Sequence, residues 1–339
     1  MALARWRRRG AEGRGAMGRG VGLLLGLAVA VLLALPLVAG ATLLHLFIVM
    51  FFFAYLGQAW NILGGYAGQF SFGHAAFFGL GAYTSTLLNL HTGLTPWLGM
   101  LAGGMVGSAF GLFSGYLSFR YGLRGPYFAL VMLAFAEMLR IVAENWSAVG
   151  GAVGILIPLR GDAPLQLQFA SKVPFYYVML AMMLGVTALT YWMQRTRLGY
   201  YFQAIRENEE AAESLGVNSF RYKMIAMAFS AGLTAMGGTF YAQYLLYIDP
   251  EITFGTTISV EILLRPIIGG AGTVLGPLLG SLVLTPFSEI AKTLFRGYIG
   301  VHLMIFGVVL IAVIIFLPQG IMGLVEAGWR RATRGTEAG

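Results

Sequence analysis

Glu137, Arg140, Glu261 and Arg265 stand inside stretches that are otherwise apolar enough to cross a bilayer. An ionisable side chain near the centre of a membrane helix costs about 2.5–3.5 kcal/mol on insertion scales, so its presence asks for a function. Two opposite charges together could grip the ammonium and carboxylate of a zwitterion. The spacing offers a plainer reading. Glu137 and Arg140 lie at i,i+3, and Glu261 and Arg265 at i,i+4, so each pair can neutralise itself along one helix. Structural pairing is therefore the favoured expectation. His74 is read as a packed, hydrogen-bonded histidine rather than a proton relay. His45, His91 and His302 are too scattered to suggest a metal site, and the absence of cysteine excludes disulfides and thiolate ligands. No Gly-x-x-x-x-Gly-Lys-Ser/Thr phosphate loop occurs, so the chain has no ATPase site of that kind. No catalytic, cofactor-binding or metal-binding residue is assigned.

The elements that position these residues belong to a membrane protein. Between Arg19 and Arg120 there is no Asp, Glu, Lys or Arg, and no soluble domain covers its surface without charge. Hydrophobic residues make up 58% and charged ones 11% of the chain, and the 48 glycines fit closely packed membrane helices. The net charge of +8 is explained by topology rather than by nucleic acid, because the basic residues are not interleaved with aromatics. Apolar runs of spanning length fall near 21–40, 43–63, 70–90, 97–118, 126–143, 174–193 and 224–247. The region 253–290 is interrupted by glycines and reads as two shorter passes, and a last span covers 300–317. The expectation is an all-α bundle of about ten helices, since the runs lack the alternation of barrel strands.

The apolar run from Val21 follows six arginines and resembles a signal peptide, but its length favours an uncleaved first helix. Lys and Arg concentrate in the N-terminal tail 1–20, the 119–125 loop, the 195–223 loop and the tail 319–339. The positive-inside rule places these in the cytoplasm, leaving 21–318 as the membrane domain. Lys292 and Arg296 then fall outside as a mild violation, and if 253–290 is one pass plus a re-entrant turn the C-terminal tail changes side.

The 195–223 loop carries nine charged residues. Gln203 to Leu215 lacks Gly and Pro and ends at Gly216, which reads as one helix with a glycine stop. Ile205, Ala212 and Leu215 share a narrow face, so this helix is expected to dock against its own bundle or a partner, with a solvated loop the close alternative. Elsewhere Gly65, Gly68 and Gly73 precede one span, and Gly270, Gly272, Gly276 and Gly280 form a second cluster about two hundred residues on. Such breaks at matching places suggest an internal repeat, and ordinary small-residue packing explains them equally well.

Three segments carry a family resemblance. Asn61–Tyr83 (NILGGYAGQFSFGHAAFFGLGAY) resembles the signature of LivM-type permeases, membrane subunits of bacterial ABC importers for branched-chain amino acids. Ala204–Asn218 (AIRENEEAAESLGVN) is similar to the cytoplasmic loop of that family. Within it Glu210, Ala211, Ala212 and Gly216 match the EAA motif that inserts into the ATPase subunit, with Arg206 just upstream. Gly269–Pro277 (GGAGTVLGP) is the third match, and the resemblance spans about residues 43–318. It implies a second, LivH-like permease, two cytosolic ATP-binding subunits that bind the ATP, and a periplasmic substrate-binding protein. It also implies location in the bacterial inner membrane with a cytoplasmic N-terminus, and a possible pathway near Gly65, Gly68, Gly73, His74, Gly270, Gly272 and Gly276. Urea or short-amide importers have similar permeases. A secondary transporter or channel would leave the charged loop unexplained, and a membrane enzyme would need acids or histidines clustered at one depth.

Overall fold

The computed structural model describes residues 26, 29–294, 307 and 320–323. The tail 1–20, nearly all of the expected span 300–317 and most of the tail 319–339 lie outside the described residues. The described chain is almost entirely helical. Helix α1 (Ala41–Asn61) runs on through a π-helical turn, Ile62–Tyr66, and is followed by α2 (His74–Thr92), α3 (Pro96–Arg120), α4 (Pro126–Asn145) and α5 (Lys172–Gln194). Two short helices, α6 (Arg197–Glu207) and α7 (Glu209–Ser214), lead into the long α8 (Ser219–Leu245). The chain then forms α9 (Pro250–Phe254), α10 (Thr256–Gly269) and α11 (Gly276–Leu294).

Six helical stretches among the described residues are long and apolar enough to cross a membrane: 41–66, 96–120, 126–145, 172–194, 219–245 and 250–269. The region expected as two shorter passes does form two helices, parted at Gly270. The pass expected at 70–90 begins late. Residues 67–73 are non-helical and fold back along α1, where the Trp60 indole donates to the Ser71 carbonyl at 2.8 Å. Irregular backbone at such depth is tolerated only when protein satisfies it, and Trp60, 1% exposed, does part of that.

The core is the packing of α3 and α2 on α8, and glycine is what lets the backbones meet. A Cβ at Gly107 would lie 2.4 Å from the Ala235 Cβ, and one at Gly81 would lie 1.9 Å from the Ala235 carbonyl oxygen. Lipid supplies no hydrophobic drive between helices, so this close approach gains the dispersion and polar contacts that hold them together. The bundle has two ends. One, the near end, carries the 119–125 and 195–218 connections. At the far end, Ile155–Leu156 (β1) pairs antiparallel with Tyr247–Ile248 (β2). There Trp97 Nε1 donates to the Pro164 carbonyl at 2.9 Å, tying the 146–171 loop down.

Candidate functional site: a glycine hub beneath the charged loop

The two glycine clusters, far apart in sequence, touch at the near end. Gln58 and Asn61, both fully buried, sit at the foot of α1 and face the 270–275 break. Asn61 Oδ1 accepts from the Gly272 amide at 2.8 Å, and Asn61 Nδ2 donates to the Thr273 carbonyl at 2.9 Å. Gln58 Nε2 donates to the Val274 carbonyl. Within the break, the Thr273 hydroxyl donates to the Gly270 carbonyl at 2.8 Å and accepts from the Gly276 amide at 3.0 Å. A helix interrupted inside a membrane exposes amides and carbonyls, and here side chains from a neighbouring helix take them up. Gly272 has φ +81°, a conformation that side chains resist, and a Cβ at Gly65 would lie 2.6 Å from the Gly272 amide.

The charged loop joins this hub. Arg206 Nη1 donates to the Gly65 carbonyl at 2.8 Å, and a Cβ at Gly272 would meet the same nitrogen at 2.1 Å. Gly68, at φ +69°, packs on the other side, its Cβ position 3.1 Å from the Arg206 Cα. Gln194, the last residue of α5, donates to the Gly272 carbonyl at 3.4 Å. One side chain of the loop therefore contacts both breaks. Gly73 and His74 lie deeper: a Cβ at Gly73 would collide with the Met132 carbonyl, and His74 is wholly buried. The Ser230 hydroxyl donates to the Ala59 carbonyl at 2.7 Å, so His74 Nε2 must carry the proton it shares with Ser230 at 2.8 Å.

The loop differs from the single helix expected over 203–215. Asn208 leaves helical geometry at φ −159°, ψ 106°, and its Oδ1 accepts from the Ala211 amide at 3.0 Å. This side chain starts a new helix, so the segment is two helices with a corner. The stop at Gly216 is as expected: it has φ +88°, and the Val217 amide reaches the Ala212 carbonyl at 3.0 Å. The expected face is also corrected. Ile205 and Ala212 are 3% exposed and face the bundle, whereas Leu215 is 86% exposed. The outward surface of α7 carries Glu210, Ala211, Ser214 and Leu215. Glu209 pins α7 from beneath, bonded to Lys223 Nζ at 2.5 Å and to Arg124 at 3.5 Å.

The charge pairs fare differently. Arg265, 1% exposed, lies 3.4 Å from the Glu261 carboxylate, donates to the Glu261 carbonyl and stacks on Phe53 at 3.7 Å. The Glu137–Arg140 pair is not self-contained as expected. Arg140 meets Glu137 at 2.5 Å, also pairs with Glu144, and crosses to Glu251 on α9 at 3.1 Å. The sequence cannot show that third dimension: Glu251 is over a hundred residues from Arg140 and arrives only because α9 packs on α4. Gln58, Asn61 and Ser230 were also missed as site residues. Gln58 and Asn61 carried a usable signal, being polar at i,i+3 in a charge-free stretch.

Residues 42–318 match the family described as branched-chain amino acid transport system, permease component. The chain belongs to this permease family. It is 28% identical to the high-affinity branched-chain amino acid transport system permease protein LivM of Salmonella typhimurium, over 80% of this chain and 68% of that protein. It is 24% identical to the corresponding LivH protein of Escherichia coli K12, over 81% of this chain and 92% of that one. A nucleoside ABC transporter permease protein, NupC of Lactococcus lactis, is 25% identical over 62% of this chain and 70% of its own. No solved structure matches the chain. This permease is thus a multi-pass membrane protein of a family of transport subunits, and no enzymatic family is indicated.

Proposed function

We propose that this permease is one of two membrane subunits of an ATP-driven importer of branched-chain amino acids. A LivH-like permease would complete the pathway, two cytosolic ATPases would power it, and a periplasmic binding protein would deliver substrate. The near end, rich in Arg and Lys, then faces the cytoplasm of a bacterial inner membrane, with the N-terminus on the same side.

The observation that carries this reading is the path from the charged loop into the bundle. The outer face of α7, with Ala211 and Leu215 exposed and Glu210 paired with Arg124 of the 119–125 loop, is the surface offered to an ATPase. Its inner face is fixed by Glu209 to Lys223, and α6 next to it sends Arg206 onto the Gly65 carbonyl. A push on α7 is thereby passed to both glycine breaks. Gly65, Gly68 and Gly272 let these segments touch with no side chain of their own in the way.

The test is uptake by vesicles containing all subunits, supplied with leucine or guanosine. ATP-dependent leucine uptake, unaffected by collapsing the proton gradient, is the expected result. Uptake driven by an imposed pH gradient without ATP would place the protein among secondary transporters. ATP-driven guanosine uptake without leucine uptake would favour the nucleoside reading that the NupC likeness raises.

A further inference from the structure

Two hollows on the outer surface between α3 and α8, of about 480 and about 410 Å³, share Leu112, Ala228 and Phe229 and so form one groove. Its floor lies where the two helices press together. A Cβ at Gly232 would lie 2.3 Å from the Ser108 Oγ, and one at Gly104 would lie 3.0 Å from the Met236 Cγ. The Ser108 hydroxyl donates to the Ala228 carbonyl at 2.9 Å, so this side chain leaves no free donor in the floor. The walls are open, with Leu101 55%, Met105 67% and Phe229 39% exposed. The groove runs down to the near end, where Phe220 and Arg221 line it and the Phe220 ring meets Tyr116 edge-on at 6.0 Å.

Apolar surface towards lipid is ordinary, but this groove ends on a charge. At the near end Glu209 and Glu210 are taken up by Lys223 and Arg124. Arg221 is exposed, and no carboxylate pairs with it among the described residues. Arg120, the last residue of α3, is exposed at the same end. From Arg221 to Gly232 the helix rises about 17 Å, close to the depth of one leaflet of a core about 30 Å thick. An apolar slot one leaflet deep, with a guanidinium at its surface end, is complementary to one kind of molecule. Basic pockets between membrane helices on the cytoplasmic side hold anionic headgroups, and arginine can give a phosphate two parallel hydrogen bonds. A second protein helix fits less well. The small residues that would let its backbone approach, Gly104, Ser108 and Gly232, are already used between α3 and α8. Met105, Met224 and Met236 in the walls are unbranched and adapt to a flexible chain.

We propose that this groove is a binding site for an anionic phospholipid of the leaflet at the near end. One acyl chain lies along α3 and α8, and the phosphate is held by Arg221, with Arg120 adding to the positive potential. The bound lipid braces the first turns of α8, where Lys223 holds Glu209 of α7. The site goes beyond the importer reading and does not depend on which solute is carried.

The test is photocrosslinking of the full-length permease, purified with its companion subunits, in vesicles of equal parts phosphatidylglycerol and phosphatidylcholine with matched acyl chains. The photoreactive p-benzoylphenylalanine replaces Phe229 in the groove or, as the control, Phe113, which is 53% exposed on α3 and does not line either hollow. Adducts are identified by the mass of the crosslinked peptide. At Phe229 the phosphatidylglycerol adduct should exceed the phosphatidylcholine adduct at least fivefold, while at Phe113 the two should be about equal. Arg221→Gln should bring the ratio at Phe229 down to about one. The Phe113 adducts of that variant show that it is still folded in the bilayer. Equal adducts at Phe229 with Arg221 in place, no adduct there, or a ratio that survives Arg221→Gln would overturn the proposal. A crosslink from Phe229 to the second permease in place of lipid would overturn it too, and make the groove a subunit interface. ATP-driven leucine uptake is measured on the unaltered protein, and its absence removes the importer reading while leaving the lipid result to stand.

Discussion

Arg206 is the residue on which the loop and the breaks depend together. Its bond to the Gly65 carbonyl is a charged donor on a neutral acceptor, worth roughly 1.5–3 kcal/mol. Arg206→Ala should leave expression normal and lower the substrate-stimulated part of ATP hydrolysis about tenfold, with basal hydrolysis intact. Arg206→Lys should restore little, because one ammonium cannot reproduce the planar fork that fits between Gly65 and Gly272. Unchanged stimulation in both variants would show that Arg206 is only a surface tether. Arg265 belongs to stability instead. Arg265→Ala strips the partner from a carboxylate next to the core and should reduce the yield of assembled protein, since breaking a buried pair costs about 3–5 kcal/mol. Glu261→Ala added to it should recover part of that yield, measured by detergent-resistant assembly on size exclusion. The i,i+4 pairing was legible in the sequence. The partners of Asn61 were not, because hydrogen bonds to backbone carbonyls more than two hundred residues away leave no trace in side-chain spacing.

Among the elements, α7 shows where reading by propensity stops. Nothing in the composition of 203–215 requires a break, and Ala and Glu favour continuity. Asn208 imposes one because its side chain caps a new start, and because Ile205 and Ala212 can then both face the bundle. The corner leaves Leu215 outside, 86% exposed and open to a partner. Leu215→Asp and Ala211→Arg should therefore abolish pull-down of the ATPase subunits without altering membrane expression. Full transport by both variants would leave α7 a solvated connection. Gly216→Val should weaken the same docking less, by distorting the stop at a cost of about 1–2 kcal/mol, as for side chains forced into the left-handed region. The late start of α2 was half legible: Gly68 and Gly73 marked a break in the sequence, but the Trp60 bond to Ser71 that holds 67–73 back along α1 left no mark there.

At the scale of the whole molecule, most spanning stretches could be read from hydropathy, and the divided hairpin of α10 and α11 from its glycines. What hydropathy could not give was that both glycine clusters belong to one place. The two-ended arrangement predicts a labelling pattern. A single cysteine at Leu215 should react with a membrane-impermeant maleimide only in inside-out vesicles, and one at Gly161 only in right-side-out ones. The opposite pattern would invert the assigned orientation. The way Gln58 and Asn61 close the break between α10 and α11 has a further consequence, for the cell's energy supply. Interhelical hydrogen bonds in membranes average only about 0.6 kcal/mol, so these contribute little to holding the fold. Their larger effect is to leave the interrupted backbone with no need of water, and a dry break conducts no protons. Asn61→Ala should admit water to the Gly272 amide and the Thr273 carbonyl. Vesicles carrying that variant should then lose an imposed pH gradient faster than those with the unaltered chain. An idle importer of this kind can sit in an energised membrane without draining it.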